Sequence, residues 1–551
     1  MPSNPEKKLL NEAPKAIAHL RAQYRRKRLG LIFGAGIGHD LDFPSWPNLV
    51  ARMATHAQVD AKSMVDRFKT TGSPAEKITE SLSSVTQILF NHFRELHIAN
   101  HGLSTPLPFV EERKIMTQWL RILHHELYRD HNNITRRKKI KNHPYLNSFL
   151  DIIRSTPITV NYNFDDTLEQ MLLQSRSSGE KDTTRGYEAA DRPNAQFQRN
   201  TGVIYHPNGF LFSTFEDGAS AELVFSDDSF QDQLVSAATG KYLHLSNHLF
   251  RSTCLLIGLS LDDATLKSML RQNAVSNPGN IHYIVQFTSK GALRDQEAED
   301  AVFKANFESY RLYTIFLDQG GINALSNLIK MEDSNFKLAF SQTPPKFVYY
   351  LIGSVGSGKS TTAGNFRNLI TYDEWIDERK PALARPESEL SKAQKAELNT
   401  FVAEQFRKKN FALSEYFDGI HIVDRAPLDP LTFGKHRERR PKAKRLLKKI
   451  TNGETSQIVK GHIIYLHSCV DDVKIRTSLK HKYWSENEYR ELIENICVVY
   501  GNLEKSTVYT GGRDAASVAR EVARIIFTEC YAPADIGAEL KLAADGLVSY
   551  V

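Results

Sequence analysis

Gly353 to Ser360 read GSVGSGKS and fill every fixed position of the pattern G-x-x-x-x-G-K-[ST]. Gly353, Gly356 and Gly358 let the backbone wrap closely round phosphates with its N–H groups turned inward. Lys359 would then reach the β and γ oxygens and Ser360 would ligate Mg²⁺, with Thr361 completing the nucleotide-binding set. A second glycine-rich turn, GAGIG at Gly34 to Gly38, follows the apolar run Leu29 to Phe33. A pyrophosphate would sit on the N–H groups behind such a turn. Its G-x-G-x-G spacing differs from the dinucleotide fingerprint, so alone it fits a purely structural turn equally well. Three further polar clusters end apolar runs: Asn163, Asp165 and Asp166; His206; and Gly258-x-Ser260 followed by Asp262 and Asp263. A fourth, Asp424-Arg425, ends the run GIHIV.

These clusters need strands to carry them and helices to follow. Each sits where a strand passes into a turn and a helix, the arrangement by which an open parallel sheet builds a ligand crevice. The expected fold class is therefore α/β: a Rossmann-like parallel sheet with a helical insertion, then a P-loop NTPase α/β domain whose kinase-like character rests on the resemblance given below. The polar stretch Met331 to Lys346, ending in SQTPPK, reads as the boundary, because paired prolines interrupt both helix and sheet. The divisions that follow are an N-terminal helical segment 1–28, a first domain 29–330, a linker 331–346, a P-loop domain 347–530 and a tail 531–551. The basic N-terminal stretch is expected as an amphipathic surface helix, and the tail is expected to dock or to oligomerise.

The chain of 551 residues allows roughly three to four average domains, or two large ones. With 41% hydrophobic and 25% charged residues it is neither disordered nor fibrous. No apolar run is long enough to span a bilayer, and the N-terminus lacks an apolar signal core. Cys254, Cys469, Cys497 and Cys530 are too scattered for a C-x-x-C knuckle or a disulfide scaffold. A cytoplasmic protein is expected, with no membrane partner. A net charge of +7 is mild, and nucleic acid is not an expected partner.

Taken in order, the N-terminal clusters resemble the sirtuin-like family in its bacterial defence-associated branch, over about Leu29 to Lys330. GAGIG with Pro44, Ser45 and Trp46 is similar to that family's Gly-Ala-Gly loop and Pro-Ser-Trp continuation. YNFDDTLE resembles its Asn-x-Asp strand end, IGLSLDD its Gly-x-Ser loop, and FSDDSF another recurring segment. The resemblance implies NAD⁺ as ligand, with Gly34, Ala35 and Gly36 at the pyrophosphate, and Pro44, Trp46, Gly258 and Ser260 in the same site. It implies Asn163 beside the nicotinamide ribose orienting a water, Asp165 fixing that loop, and His206 as the base.

Three departures stand out. Gly38 replaces a frequent serine. Asn208, not His206, precedes Gly209. Cys254 is the sole cysteine of the region, so no four-cysteine zinc module forms and no zinc is expected. Residues 60–145, with helical periodicity, would fill the small-subdomain position. His124, His125 and Glu126 suggest a metalloprotease helix, but the second histidine position holds Arg129, so they read as helix surface.

The C-terminal third, about 346–528, resembles nucleoside and nucleotide kinases at its P-loop and at Asp424-Arg425-Ala-Pro-Leu-Asp. The resemblance implies Asp424 as a second Mg²⁺ contact and Arg425 on phosphate, with ATP or another NTP or dNTP as ligand. Asp373 and Glu374 fit either a substrate contact or, preferably, a charged helix face. The basic run Lys435 to Lys449 fits a phosphate-closing lid, a solvated face or a nucleic-acid patch.

The functional expectation is an anti-phage effector that hydrolyses NAD⁺. Nucleotide or a phage-derived trigger at the P-loop would gate it, in a homo-oligomer. The alternatives are a nucleotide kinase with a regulatory dinucleotide-binding half, a non-catalytic module for ADP-ribose-type ligands, and a zinc-free deacylase.

Overall fold

The computed structural model describes residues 4–57, 82–130, 133–175, 187–191, 202–214, 219–220, 223–240, 242–289, 291, 295–341, 344–378, 390–451, 457–478 and 485–547. Residues 58–81 of the expected helical insertion, Gln342 and Thr343 of the linker, and the end of the tail lie outside them. The chain divides into two compact units. One comprises Lys27–Gln272 and His282–Asn327; the other comprises Met1–Arg26, Asn273–Ile281 and Leu328–Val551.

The first unit is built on seven strands: β1 (Leu29–Phe33), β2 (Ile158–Asn161), β3 (Tyr187–Ala190), β4 (Gly202–Tyr205), β5 (Thr253–Ile257), β6 (His282–Phe287) and β7 (Leu312–Leu317). Their order is β3-β4-β2-β1-β5-β6-β7, and every pairing is parallel. β1 and β5 are buried along their whole length, which is why they read as continuous apolar runs rather than alternating ones. The chain leaves β1 towards β2 on one side and returns to β5 on the other. The carboxyl ends of β1, β2 and β5 therefore flank the point where strand order reverses, where open α/β sheets hold ligands. Helices Trp46–His56, Leu82–His101 and Phe109–Tyr128 form the insertion and share an apolar core with Leu211 and Phe225.

The second unit has five parallel strands: β8 (Lys346–Ile352), β9 (Ile370–Tyr372), β10 (Gly419–Asp424), β11 (His462–His467) and β12 (Lys505–Tyr509). Their order is β12-β11-β8-β10-β9. The two sheets bear out the α/β fold class.

Two segments differ from expectation. The N-terminal stretch forms helices Asn4–Glu12 and Pro14–Arg25, and the second is buried from Lys15 to Gln23 rather than lying on the surface. Its burial is chemically possible because Arg21 is fully partnered. Its guanidinium donates to Asp418 Oδ2 at 2.9 Å, to the carbonyls of Leu328 and Met331 at 2.6 and 2.7 Å, and to Asp333 Oδ1 at 2.9 Å. It also stacks 3.6 Å above the Phe336 ring. Second, the polar stretch after Met331 contains a helix, Asp333–Ala339, whose Phe336 is buried. The tail follows one of its two expectations: helix Ile536–Asp545 docks, placing Ile536, Leu540, Ala543 and Ala544 in the P-loop unit's own core.

Candidate functional sites

At the reversal point of the first sheet, two loops cross with almost no space between them. Gly34 N–H donates to Ile257 O at 3.0 Å, and Gly36 N–H donates to Gly258 O at 2.9 Å. A Cβ on Gly36 would stand 2.8 Å from Gly258 Cα. Gly258 itself has φ +73°, and a Cβ there would meet Ile37 N at 2.8 Å. The glycines are thus required first for loop-to-loop packing. The N–H groups of Gly34 and Gly36 are spent on the end of β5 and on Gly258, and the turn that starts at Ala35 is exposed there.

Asn163 meets this crossing directly. Its Nδ2 donates to Gly34 O at 3.1 Å, and its backbone N–H donates to Asn161 Oδ1 at 3.2 Å. Its carbonyl lies 2.9 Å from His206 Nδ1. Asn163 and His206, 43 residues apart, therefore belong to one network. Asp165 Oδ1 accepts from Thr167 N–H at 2.9 Å and fixes the start of helix Thr167–Gln174. Its neighbour Asp166 is a buried anchor, paired with Arg136 and accepting from Ser213 Oγ at 2.8 Å. Burial opposes its ionisation, but Arg136 and Ser213 hold its pKa below the usual value.

His206 is enclosed, and both ring nitrogens are engaged: Nδ1 with Asn163 O and Nε2 with Glu169 Oε1 at 2.8 Å. Burial alone would depress its pKa, yet the Glu169 carboxylate and the Asn163 carbonyl raise it. In this geometry both ring nitrogens face oxygen acceptors, which favours the protonated ring, and accepting a substrate proton would require one of these contacts to open. Glu169 lies inside the YNFDDTLE stretch, but one glutamate a turn along a helix gives no sequence signal of its own. Among the described residues, Asn161 Nδ2 and Glu169 Oε2 are buried polar atoms with no partner in the protein, both beside this crossing. Such atoms fit a polar ligand seated here.

Pro44 and Ser45 lead into helix Trp46–His56, and the Trp46 ring packs on Phe225 and Phe230 with centroids 6.2 and 5.7 Å apart. The segments FPSW and FSDDSF thus meet in space. Gly258 leads to Ser260, which lines a 630 Å³ cleft with Leu261, Asp262, Gln286 and Thr288 at the β5 and β6 ends. Asn208, which stands where the family pattern has histidine, accepts from Gln233 Nε2 at 2.9 Å.

In the second unit, Gly353, Gly356 and Gly358 all have positive φ, at +151°, +85° and +97°. Glycine alone takes up such a loop without strain. Lys359 folds back onto the carbonyls of Gly353 and Ser354, at 2.9 and 2.7 Å. Burial, aided by Arg425, lowers its pKa to about 8. Ser360 Oγ donates to Asp424 Oδ2 at 2.7 Å, while Asp424 Oδ1 is buried without a partner. A hydroxyl and a carboxylate with an unused oxygen are donors that suit Mg²⁺. Thr361 is exposed on the first turn of helix Lys359–Gly364.

Arg425 has φ +72° and pairs with Glu374 at 2.7 Å and with Asp429 at 3.3 Å. Glu374 follows β9 in an irregular turn, not on a helix face, and pairs there with Arg425; Asp373 turns away to Arg367 at 2.7 Å. Lys409 donates to Asp424 O at 2.7 Å, and burial lowers its pKa to about 8. Sequence reasoning did not single it out, since a lysine within a charged helix carries no positional signal. The basic run forms helix His436–Ile450, in which Arg439 bonds Asn495, Lys442 donates to Phe433 O at 2.7 Å, and Lys449 pairs with Glu404 at 3.0 Å. Among the described residues, no helix is long and apolar enough to cross a membrane.

Residues 157–315 match the family profile of the SIR2-like domain. No curated protein matches the sequence. Among solved structures, the chain is similar to a deoxyadenosine kinase from M. mycoides with the products dCMP and dCDP bound. That likeness has 12% identity and a TM-score of 0.25, over 32% of this chain and 96% of that one. It is also similar to the NadR protein in complex with NR, at 14% identity and a TM-score of 0.24, over 60% of this chain and 80% of that one. The SIR2-like match points to NAD-related chemistry in the first unit, and the P-loop makes the second a nucleotide-binding unit.

Proposed function

We propose that the first unit hydrolyses NAD⁺ to nicotinamide and ADP-ribose, and that nucleotide at the P-loop gates this activity. The observation that carries the reading is the placement of Asn163. It is held at three points, against Gly34, Asn161 and His206, at the reversal of a parallel sheet within a SIR2-like match.

In the proposed reaction, Asn163 orients a water against C1′ of the nicotinamide ribose. The glycosidic C–N bond breaks and its electron pair leaves with nicotinamide, which becomes neutral. Oxygen of the water bonds C1′, and the released proton passes to solvent. Positive charge develops on the ribose, so fixed dipoles and nearby carboxylates favour the transition state. His206, paired with Glu169, holds the Asn163 carbonyl, and Asp165 fixes the following helix. NAD⁺ would lie along the turn from Ala35, with Pro44 and Trp46 on one side and Gly258 and Ser260 on the other.

A hydrolase that consumes a universal cofactor needs control, and the P-loop unit is the candidate controller. Lys359, Ser360, Thr361, Asp424 and Arg425 would hold an NTP or dNTP with Mg²⁺. Binding shifts the hydrolase only if nucleotide favours one state over the other. The defence role, a phage-derived trigger and a homo-oligomer complete the proposal and rest on the family resemblance. The gate is tested by nicotinamide release with and without ATP and a dNTP panel. Turnover that responds to nucleotide in the wild type and not in Lys359→Ala supports it. Turnover indifferent to both removes it.

A second reading has one observation in its favour. The Glu374–Arg425–Asp429 cluster beside the P-loop is fit for holding a phosphate acceptor, so the second unit would act as a nucleotide kinase. Steady phosphoryl transfer that survives Asn163→Ala would favour it.

A further inference from the structure

In helix Phe109–Tyr128, His125-Glu126-Leu-Tyr-Arg129 has arginine where a metalloprotease helix has its second histidine, and sequence alone assigns these residues to helix surface. The fold supplies a histidine from elsewhere. His56, the last residue of helix Trp46–His56, brings Nε2 to 2.8 Å from Glu126 Oε1, and His125 Nδ1 lies 3.0 Å from the same oxygen. The three donor atoms fall within 4.8 Å of one another. Glu126 is not on the surface: it is 2% exposed.

We propose that His56 Nε2, His125 Nδ1 and Glu126 Oε1 form a site for a divalent transition ion of the zinc class, with water in the fourth position. Two imidazoles and one carboxylate are a donor set suited to Zn²⁺ and its neighbours. Arg129 holds the other carboxylate oxygen, Oε2, at 3.2 Å, and Arg52 donates to the Glu126 backbone carbonyl at 3.0 Å. Oε1 is thereby turned towards the two histidines, the orienting role that outer partners play at metal sites. The imidazoles, 37% and 68% exposed, leave the ion a path of entry. The site would staple two helices that frame the NAD⁺ crevice. One begins at Trp46, and the other ends at Tyr128, whose hydroxyl bonds Leu211 O at 2.8 Å.

The competing account is that these residues form only a hydrogen-bonded ion pair. The full chain, stripped with a chelator and dialysed, would be titrated with Zn²⁺ and with Co²⁺. Expected are one tightly bound equivalent, a thermal midpoint raised by several degrees, and the visible absorption of four-coordinate Co²⁺. All three should be lost in His56→Gln and His125→Gln, which keep a hydrogen-bonding group at each position. Arg129→Gln should weaken binding about tenfold or more. Circular dichroism of the metal-free variants identifies any that fail to fold. Absence of binding overturns the proposal. So does Zn²⁺ binding that persists unchanged in both folded histidine variants, which would place the ion on other histidines.

Discussion

His206 Nδ1 and the carbonyl of Asn163 stand 2.9 Å apart at the carboxyl end of the first sheet, while the other nitrogen of the same ring meets Glu169 at 2.8 Å. The imidazole therefore ties the loop after β2 to the end of β4. A buried imidazolium is stable only with a counter-charge, and Glu169 supplies it. The loop that carries Asn163 is thereby tied through His206 to Glu169.

Glu169→Gln removes that counter-charge. The folded-state pKa of His206 is raised, because Glu169 and Asn163 outweigh burial. The stabilisation is then fully present below the unfolded value near 6.5 and is lost as pH rises through the raised value. Urea unfolding at pH 6 should show Glu169→Gln less stable by about 3 kcal/mol, with the gap narrowing in alkali. Nicotinamide release should fall about a hundredfold, since a small displacement of Asn163 misaligns the water.

Gly258→Ala tests the loop crossing. The new methyl would meet Ile37 N at 2.8 Å at a φ of +73°. The left-handed backbone and the contact together should cost about 2–4 kcal/mol and abolish NAD⁺ binding, read by calorimetry.

Lys359 titrates near 8 because it is buried, with Arg425 close by. Its folded pKa is below the unfolded 10.5, so the cost of burying its charge is fully present below about pH 8 and disappears as the lysine deprotonates. Phosphates restore the charged form. ATP binding at pH 8.5 should therefore take up protons, measured by calorimetry in buffers of different ionisation enthalpy. Lys359→Met should bind ATP more weakly and take up fewer protons.

Arg21→Ala leaves Asp418, 2% exposed, with the half-buried Arg25 as its remaining partner, at 2.5 Å. With Arg25 still in place, the loss should be about 2–3 kcal/mol, below the full cost of an unpaired buried charge. The urea midpoint for loss of ATP binding should fall accordingly, although Arg21 touches no nucleotide.

What the sequence discloses follows from how local each signal is. β1 and β8 are legible because a buried parallel strand is a short apolar run ending at glycine. The P-loop is legible because its backbone conformation demands glycines at fixed spacing. The burial of helix Pro14–Arg25 is not, since Arg21 finds Asp418 397 residues away and a basic helix otherwise reads as surface. Glu169 and Lys409 are missed for the same reason, and Glu374, preferred as a helix-face residue, for a related one: each finds a partner that only the fold supplies. His206 shows the opposite limit, its position read from the strand end while its pairing with Glu169 was not.

The central claim is that Asn163 directs cleavage of NAD⁺. It is tested most directly by quantifying nicotinamide and ADP-ribose released by the purified 551-residue chain, with and without nucleotide, beside an Asn163→Ala variant matched in circular dichroism and thermal midpoint. The account predicts equal amounts of the two products from the wild type under at least one nucleotide condition, and loss of both in the variant. Release that continues unchanged in the folded variant, or NAD⁺ bound and left intact by the wild type under every condition, would contradict it.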